Sequence, residues 1–289
     1  MASLVKDLIE AGIHFGHRAT NWNPKMAPYI YGKKNKIHVI DVKSTIKGLL
    51  LARKYITKLV GEGRDILFVG TKRQARGSIE THVKEAGMPY VTERWLGGTL
   101  TNFRTIRDRL KRLEELEGLE ETGDINKYSK KMESTLRREK DKIKRNLDGI
   151  RTMTKLPGAM VVIDCKREAN AVREARKLGI PTICLIDTDS DPEMADIPIP
   201  GNDDAMRAID IVVDSLCRAV MEGKRTRQMM SEGKDEPGAG DQPNAQAPSR
   251  RRSSRSQFRA EQPSAAGAPN AAPDDAARTE APAKAEQSA

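Results

Sequence analysis

Short apolar runs alternate with helical patterns along most of this chain, and that alternation restricts the possible folds more than any other feature. Apolar runs predict strands at residues 37–41, 65–69, 90–91, 159–163, 181–186 and 197–199. Helical patterns lie at residues 44–62, 72–86, 166–178 and 203–222. Because strands that are apolar at nearly every position are buried on both faces, we expect an α/β fold with a parallel sheet flanked by helices.

The pattern changes between residues 104 and 150, where strand signals are absent and charged residues are dense. Apolar side chains recur there every three or four positions in two stripes, Phe103, Ile106, Leu110, Leu113 and Leu116, then Met132, Leu136, Ile143, Leu147 and Ile150. Thr122, Gly123 and Asp124 favour a turn between the stripes. A narrow apolar stripe with charged outer faces predicts two helices folded into an antiparallel hairpin, a coiled coil that protrudes from the body.

Composition changes again after residue 230. Residues 231–289 are rich in Ala, Pro, Ser, Gln and Gly, so they cannot bury enough apolar surface to offset the entropy of ordering. We expect residues 1–103 and 151–230 to form one α/β body, residues 104–150 the protruding hairpin, and residues 231–289 a disordered low-complexity tail. The basic cluster at residues 250–255 could contact RNA or remain a solvated run of charge.

The net charge of +10 belongs to the part of the chain that is expected to fold. Residues 231–289 hold eight basic and nine acidic residues, so the basic surplus lies in residues 1–230. A compact basic body attracts polyanions, since each neutralised phosphate releases condensed counterions. A merely soluble surface is the alternative reading of the charge.

Motifs that would mark an enzyme are absent. The strand–turn–helix segment at residues 68–78 matches neither dinucleotide-binding nor phosphate-loop patterns, and no nucleophile elbow or zinc-protease motif occurs. Lys72 and Arg73 at a helix start could bind an anion, although an ordinary strand–helix turn explains them too. We therefore expect a non-enzymatic protein, and a nucleotide-dependent enzyme is the rival reading.

Acidic residues cluster after the strand that ends near residue 186. The loop at residues 187–191 and Asp204 could cap turns and helices, or they could bind a divalent cation. The cysteines (Cys165, Cys184 and Cys217) lie in apolar runs without metal-site spacing, so we expect small buried side chains. No signal peptide or membrane span is predicted, which indicates a cytoplasmic protein.

Basic and aromatic side chains interleave between residues 14 and 38. Trp22, Tyr29 or Tyr31 could stack on exposed bases, or they could pin an irregular loop to the core. Because aromatic residues make up only 4% of the chain, we expect backbone and shape recognition of RNA rather than base reading. The basic residues that cluster in loops at element ends are the candidate phosphate contacts: Arg18, Lys25, Lys33, Lys34, Lys36, Lys72, Arg73, Arg94 and Arg104.

Five motifs occur in an order and spacing that resemble a known family. They are Ala-Gly-Ile-His-Phe-Gly-His at 11–17, Trp-Asn-Pro-Lys-Met at 22–26, Phe-Val-Gly-Thr-Lys-Arg at 68–73, Arg-Trp-Leu-Gly-Gly-Thr-Leu-Thr-Asn at 94–102 and Ile-Pro-Gly-Asn-Asp-Asp-Ala at 199–205. Over residues 3–225 the chain resembles the bacterial form of small-subunit ribosomal protein number two. The tail beyond residue 230 has no counterpart in that pattern.

The resemblance implies a Rossmann-like or flavodoxin-like body with a protruding helical hairpin and no catalysis. It implies a ribosome-bound protein of the small (30S) subunit that supports translation by docking on 16S ribosomal RNA. It further implies contact with other subunit proteins, including the mRNA-binding ribosomal protein number one, which the family helps to anchor. No cofactor is required, but the resemblance also implies a possible Zn or Mg ion on His17, Asp187 and Asp204.

Each residue of the motif at positions 14–17 has an expected role. We expect His14 and Phe15 to tie the N-terminal segment to the body and Gly16 to permit a turn. His17 is the one histidine of the pair expected to ligate a metal, and RNA contacts are expected to begin at Arg18.

Overall fold

The computed structural model describes residues 2–232 of the 289-residue chain. Apart from its first two positions, the predicted tail at residues 231–289 lies outside the described residues, as does the basic cluster at residues 250–255. Within the described part of the chain, no helix is both long and apolar enough to cross a membrane.

The N-terminal region contains a small antiparallel sheet. Helix α1 (Ala2–Glu10) precedes strands β1 (Phe15–Arg18), β2 (Ile30–Lys34) and β3 (Ile37–Ile40), and β3 lies between the other two. The turn between β2 and β3 uses two residues with positive φ, Asn35 at 50° and Lys36 at 63°. Consecutive left-handed residues fit the right-handed twist of a tight hairpin.

The prediction that residues 37–41 belong to the parallel sheet was therefore wrong. In β3 the buried His38 and Ile40 alternate with the more exposed Ile37 and Val39, as in an antiparallel strand with one solvated face. Residues 14–34 were expected to form a loop. They contain β1 and β2, the two strands that pair with β3.

A separate parallel sheet of five strands forms the centre of the molecule. Its members are β4 (Ile66–Val69), β5 (Tyr90–Val91), β6 (Ala159–Ile163), β7 (Thr182–Ile186) and β8 (Ile197–Pro200). They lie in the order β5-β4-β6-β7-β8, so the chain runs outward from β4 to β5 and then returns to β6 on the other side of β4. These strands and their parallel arrangement confirm the prediction.

Helices cover both faces of this sheet. On one face lie α2 (Val42–Gly61), α3 (Arg73–Ser78, continued by a π-helical turn at Ile79–Val83) and α7 (Met206–Glu232). On the other lie α4 (Phe103–Glu121), α5 (Lys130–Leu147) and α6 (Ala169–Lys177). Alternate residues of β4 enter different cores, since Phe68 packs with the first group and Leu67 with the second. The three cysteines are free and buried, as predicted.

The segment predicted as a hairpin forms two consecutive helices, α4 and α5. Ion pairs join them, with Lys144 3.5 Å from Glu117 and Lys140 paired with Glu120. The predicted apolar stripe is buried at Ile106, Leu110, Leu113, Leu116, Leu136, Ile143 and Leu147. Met132 departs from the stripe, because its side chain near the start of α5 is 46% exposed. The coiled coil and its projection from the body stay predictions.

Candidate nucleic-acid interface

Seven of the nine predicted phosphate contacts are exposed and form no ion pair with any carboxylate of the described residues. They are Arg18, Lys33, Lys34, Lys36, Arg73, Arg94 and Arg104. A cation without an internal partner keeps its charge available to a bound anion. These side chains therefore have the exposure and the free charge that phosphate binding requires.

Four of these cations lie on the small sheet and its turn, with Lys33, which is paired with His38, on the face opposite to Lys34. Arg18 of β1 and Lys34 of β2 are both paired in register with Ile37 of β3, so they flank that residue from opposite sides. Lys36 lies in the adjoining turn, and its carbonyl accepts a hydrogen bond of 2.9 Å from the amide of Ala19. We call Arg18, Lys33, Lys34 and Lys36 the basic patch.

The other three cations without a carboxylate partner among the described residues follow strands of the parallel sheet or lie at the start of α4. Arg73 is the first residue of α3, after β4. Arg94 follows β5, and Arg104 lies in the first turn of α4. They belong to elements of the parallel-sheet body rather than to the small sheet, so the candidate contacts form two groups.

Lys25 and Lys72 differ from the other seven candidates because the chain itself neutralises them. The Lys25 ammonium lies 3.0 Å from Asp191 and 2.6 Å from Glu193. These hydrogen bonds, that to Glu193 first, raise the pKa of Lys25 above its usual value. An RNA phosphate would have to displace both carboxylates.

Lys72 lies in a group of carboxylates at the carboxyl ends of β4, β6 and β8. Its ammonium is 2.8 Å from Asp203, 2.6 Å from Asp204 and 3.8 Å from Asp164. Burial works to lower the pKa of Lys72, but the hydrogen bonds to Asp203 and Asp204 raise it overall. Burial raises the pKa of Asp203 to about 7 in spite of its hydrogen bond from Lys72. The ammonium is therefore the main counter-charge of a buried carboxyl.

This acidic group adjoins the point at which α/β enzymes bind their ligands, where the strand order reverses between β4 and β6. At that point, side chains of the protein form hydrogen bonds with one another. The buried Glu168 carboxylate accepts hydrogen bonds from the Thr71 hydroxyl and, at 3.3 Å, from its amide. Arg167 donates a further hydrogen bond of 3.1 Å to the Thr71 hydroxyl. The loops after β4 and β6 are thereby joined by their own polar contacts.

His17 lies beside the same acidic group. Its Nδ1 is 2.7 Å from Asp187, and its Nε2 is 3.8 Å from Asp204. The hydrogen bond to Asp187 raises the pKa of His17 to about 9 against the effect of burial, so the ring is an imidazolium at neutral pH. His17 thus contributes a second positive charge to the acidic group.

The predicted metal ligands fit a resident ion poorly as they are arranged. His17 and Asp187 do come together, but the third side chain with a ligand atom within 4.8 Å of theirs is Asp203, one position before the predicted Asp204. A zinc or magnesium ion would require His17 to lose its proton and Lys72 to leave Asp203. The predicted ion gains no support from this arrangement.

The roles expected within positions 14–17 are only partly correct. Gly16 does not form a turn, because it lies within β1 against the loop after β7. A Cβ at Gly16 would lie 2.6 Å from Thr188 Cγ2 and 3.0 Å from Asp187 Oδ1, so glycine is needed for close approach. Phe15 is 49% exposed, so about half of its surface is covered, and the expected role of His14 and Phe15 stays a prediction.

Sequence reasoning missed Glu174, which organises the motif at residues 94–102. Its carboxylate accepts hydrogen bonds from the indole of Trp95 (3.1 Å) and from the amides of Gly98 (2.8 Å), Leu100 (3.1 Å) and Thr101 (3.2 Å). Burial works to raise the pKa of Glu174, but these bonds lower it overall. The sequence signal that could have revealed this role is the position of Glu174, a charged residue on the apolar face of the helix predicted at residues 166–178.

Comparison with known proteins gives one consistent family. Residues 8–223 match the family model described as ribosomal protein S2. The chain is 58% identical over 225 residues to small ribosomal subunit protein uS2 of Rhodopirellula baltica, which covers 78% of this chain and 86% of that protein. It is 46% identical to the protein of that name from Nitratiruptor (80% and 87%) and 49% identical to uS2c of Rhodomonas salina (75% and 89%).

Proposed function

Because the chain belongs to the ribosomal protein S2 family, which consists of structural components of the small ribosomal subunit and not of enzymes, we propose that it binds 16S ribosomal RNA in that subunit. Binding proceeds through the phosphates and the shape of the RNA. The observation that carries this proposal is the basic patch, in which four exposed cations share one small sheet and have no carboxylate partner among the described residues.

A rival function, a nucleotide-dependent enzyme on the same sheet, has less support. Its ligand would occupy the strand-order reversal between β4 and β6, where Glu168, Thr71 and Arg167 already bond to each other. Equilibrium dialysis with ATP, GTP and NAD separates the two functions, and we expect none of them to bind.

The general test is the salt dependence of binding to 16S ribosomal RNA. We expect the logarithm of affinity to fall linearly with the logarithm of salt concentration, with a slope of roughly one unit per neutralised phosphate. The complementary observation is the presence of the protein in salt-washed small subunits. Its absence from them would refute the proposal.

Removing charge from the basic patch should weaken the salt dependence of RNA binding. Replacing Lys33, Lys34 and Lys36 together by alanine should reduce the salt slope by roughly two to three units, because each lost phosphate contact removes roughly one unit. Filter binding at several salt concentrations measures this slope. The fold should be unchanged, since all three side chains are exposed and unpaired.

The matched control removes three exposed lysines elsewhere. Lys130, Lys131 and Lys142 of α5 also lack carboxylate partners within the described part of the chain, so their replacement by alanine lowers the net charge equally. We expect their loss to change the slope much less. Equal losses in the two variants would show that net charge, rather than the basic patch, governs binding.

The second part of the proposal concerns ribosomal protein number one, which we infer is held in part by α4 and α5. Some of the charge on these helices is paired within the protein, since Glu117 pairs with Lys144 and Arg151 and Glu120 pairs with Lys140. Near the connection between them, Tyr128 and Met132 are each 46% exposed. Exposed apolar side chains at this end of the helices suit a protein contact better than a phosphate contact.

Replacing Tyr128 and Met132 together by serine should lower the retention of ribosomal protein number one on small subunits without lowering the affinity for 16S ribosomal RNA. The reason is that the change removes apolar contact area and no charge. Quantitative mass spectrometry of purified subunits measures retention. Unchanged retention with both side chains gone would remove this end of the helices from the interface.

A further inference from the structure

Large apolar side chains are exposed on the small antiparallel sheet. Tyr31 is 83% exposed, Phe15 49% and Ile37 36%. Each belongs to a different strand, β2, β1 and β3 in turn. A single exposed apolar side chain on a surface is ordinary, but one on every strand of the same small sheet favours a partner.

The registers of the three strands show how this surface is built. Val39 of β3 is paired with Phe15 on one side and with Gly32 on the other, so the three form one row across the sheet. Tyr31 precedes Gly32, at a shift in register, and lines a shallow depression of about 310 Å³ together with Val39 and His14. The His14 and Phe15 rings are adjacent, with centroids 4.1 Å apart.

Gly32 leaves the β2 end of this row open, whereas Val39 of β3 occupies its middle. A Cβ built at Gly32 would have no heavy atom within 4 Å, so the glycine relieves no internal clash. Its φ also lies outside the left-handed region, so its backbone does not require glycine. What the missing side chain does provide is a flat, accessible area beside the exposed ring of Tyr31, with Phe15 at the other end of the row. A planar group can approach such an area closely.

Positive charge borders this surface. Arg18 and Lys34 flank Ile37, and Lys36 lies in the turn beside them. Lys43 lines the depression from the start of α2. The nearby carboxylate of Asp41 is engaged, since it accepts hydrogen bonds from the Lys43 amide at 3.0 Å and from the Ser44 hydroxyl at 2.9 Å. The surface therefore combines exposed rings with free cations.

We propose that this face of the small sheet binds an unpaired RNA base, which stacks on Tyr31 beside the open position at Gly32, with Phe15 bordering the site from β1 across Val39. Arg18, Lys34 and Lys36 contact the phosphates on either side of that base. The inference rests on the proposed function and adds a contact of a different kind. Bases, unlike phosphates, bind by their faces, and a base in a duplex has both faces covered by its neighbours.

An unpaired nucleotide fits this surface better than a protein segment or a duplex. An apolar protein partner would leave Arg18, Lys34 and Lys36 desolvated without acidic partners, which costs free energy. A duplex would satisfy the cations but would leave the rings facing phosphate and sugar. Only a nucleotide with a free base satisfies both kinds of side chain.

The experiment compares the double variant Phe15→Ala/Tyr31→Ala with the full-length wild-type chain in binding to 16S ribosomal RNA. We expect affinity to fall roughly ten- to hundredfold, the loss typical of one stacked base, with an unchanged salt slope because no charge is removed. The variant Phe15→Tyr/Tyr31→Phe, which keeps both rings, should retain wild-type affinity. Leu51→Ala is the control for removing an exposed apolar side chain, since Leu51 lies on α2 and is 55% exposed.

The outcomes separate this inference from the proposed function. If the wild-type chain binds 16S ribosomal RNA and the double-alanine variant binds equally well, base stacking is refuted and phosphate recognition stands. A double-alanine variant that keeps its RNA affinity but loses a protein from reconstituted subunits would show a protein site instead. If the wild-type chain itself does not bind, the proposed function fails. Urea unfolding of each variant confirms that affinity is compared between folded proteins.

Discussion

Replacing Glu174 by alanine should lower the free energy of unfolding by roughly 3–5 kcal/mol, because it leaves two buried and two partly buried donors without an acceptor. The carboxylate holds the Trp95 indole and the amides of Gly98, Leu100 and Thr101 at distances of 2.8–3.2 Å. No other side chain in that turn accepts these bonds within the described residues. Urea unfolding followed by circular dichroism measures the loss.

Two further variants test the cause. Glu174→Gln keeps one acceptor oxygen and should lose about half as much stability. Glu193→Ala removes a glutamate that is 71% exposed and pairs with Lys25 at the surface, so the loss should stay below about 1 kcal/mol. Equal losses from Glu174→Ala and Glu193→Ala would contradict the role of the buried hydrogen bonds.

The pH dependence of the Glu174→Gln variant follows from the lowered pKa of Glu174. A carboxyl whose pKa is lower in the folded chain stabilises the fold above its unfolded pKa, about 4.3, and this contribution disappears as the pH falls through the folded pKa. The difference in stability between wild type and the variant should therefore be full at pH 6–7 and shrink below about pH 4. A difference that grew on acidification would exclude the ionised carboxylate as its source.

The parallel sheet was predictable from the sequence because its signals are local. Strands such as Ala159–Ile163 are apolar at every position, and glycines end the helical patterns beside them. The small sheet was not predictable, since its hairpin turns through Asn35 and Lys36, which carry no glycine signal for positive φ. Its strands also expose alternate residues and contain many charges, so they resemble a loop.

For the basic residues, too, one feature was predictable from the sequence and another was not. That Lys25 and Lys72 lie at element ends is visible in the sequence. Their neutralisation is not visible in the sequence. The carboxylates that bind Lys25 are 166 and 168 positions away along the chain, and Asp203, which binds Lys72, is 131 positions away. Such pairings depend on how the strands are ordered in the sheet. A list of basic residues therefore predicts where charge lies but not which charges remain free for a ligand.

The second large effect on stability is expected from the substitution of Lys72. Replacing it by methionine should lower the free energy of unfolding by roughly 3–5 kcal/mol, because it leaves a buried carboxyl group without its counter-charge. The Asp203 side chain is only 1% exposed, and its one hydrogen bond within the described residues comes from the Lys72 ammonium at 2.8 Å. Urea unfolding near pH 8 measures the loss.

A second substitution identifies the cause of that loss. The double variant Lys72→Met/Asp203→Asn removes the unpaired charge, so it should be more stable than Lys72→Met alone. A double variant no more stable than the single one would show that Lys72 acts by packing rather than by neutralising Asp203.

RNA binding by the Lys72→Met variant separates the two roles that this lysine can have. If Lys72 neutralises the protein's own carboxylates, the salt slope for 16S ribosomal RNA stays at the wild-type value under conditions where the variant is folded. If it contacts a phosphate, as its place at a helix start predicts, the slope falls by roughly one unit. Because Asp203 and Asp204 already hold the ammonium at 2.8 Å and 2.6 Å, we expect the unchanged slope. A loss of one unit would return Lys72 to the RNA interface and would require both carboxylates to release it on binding.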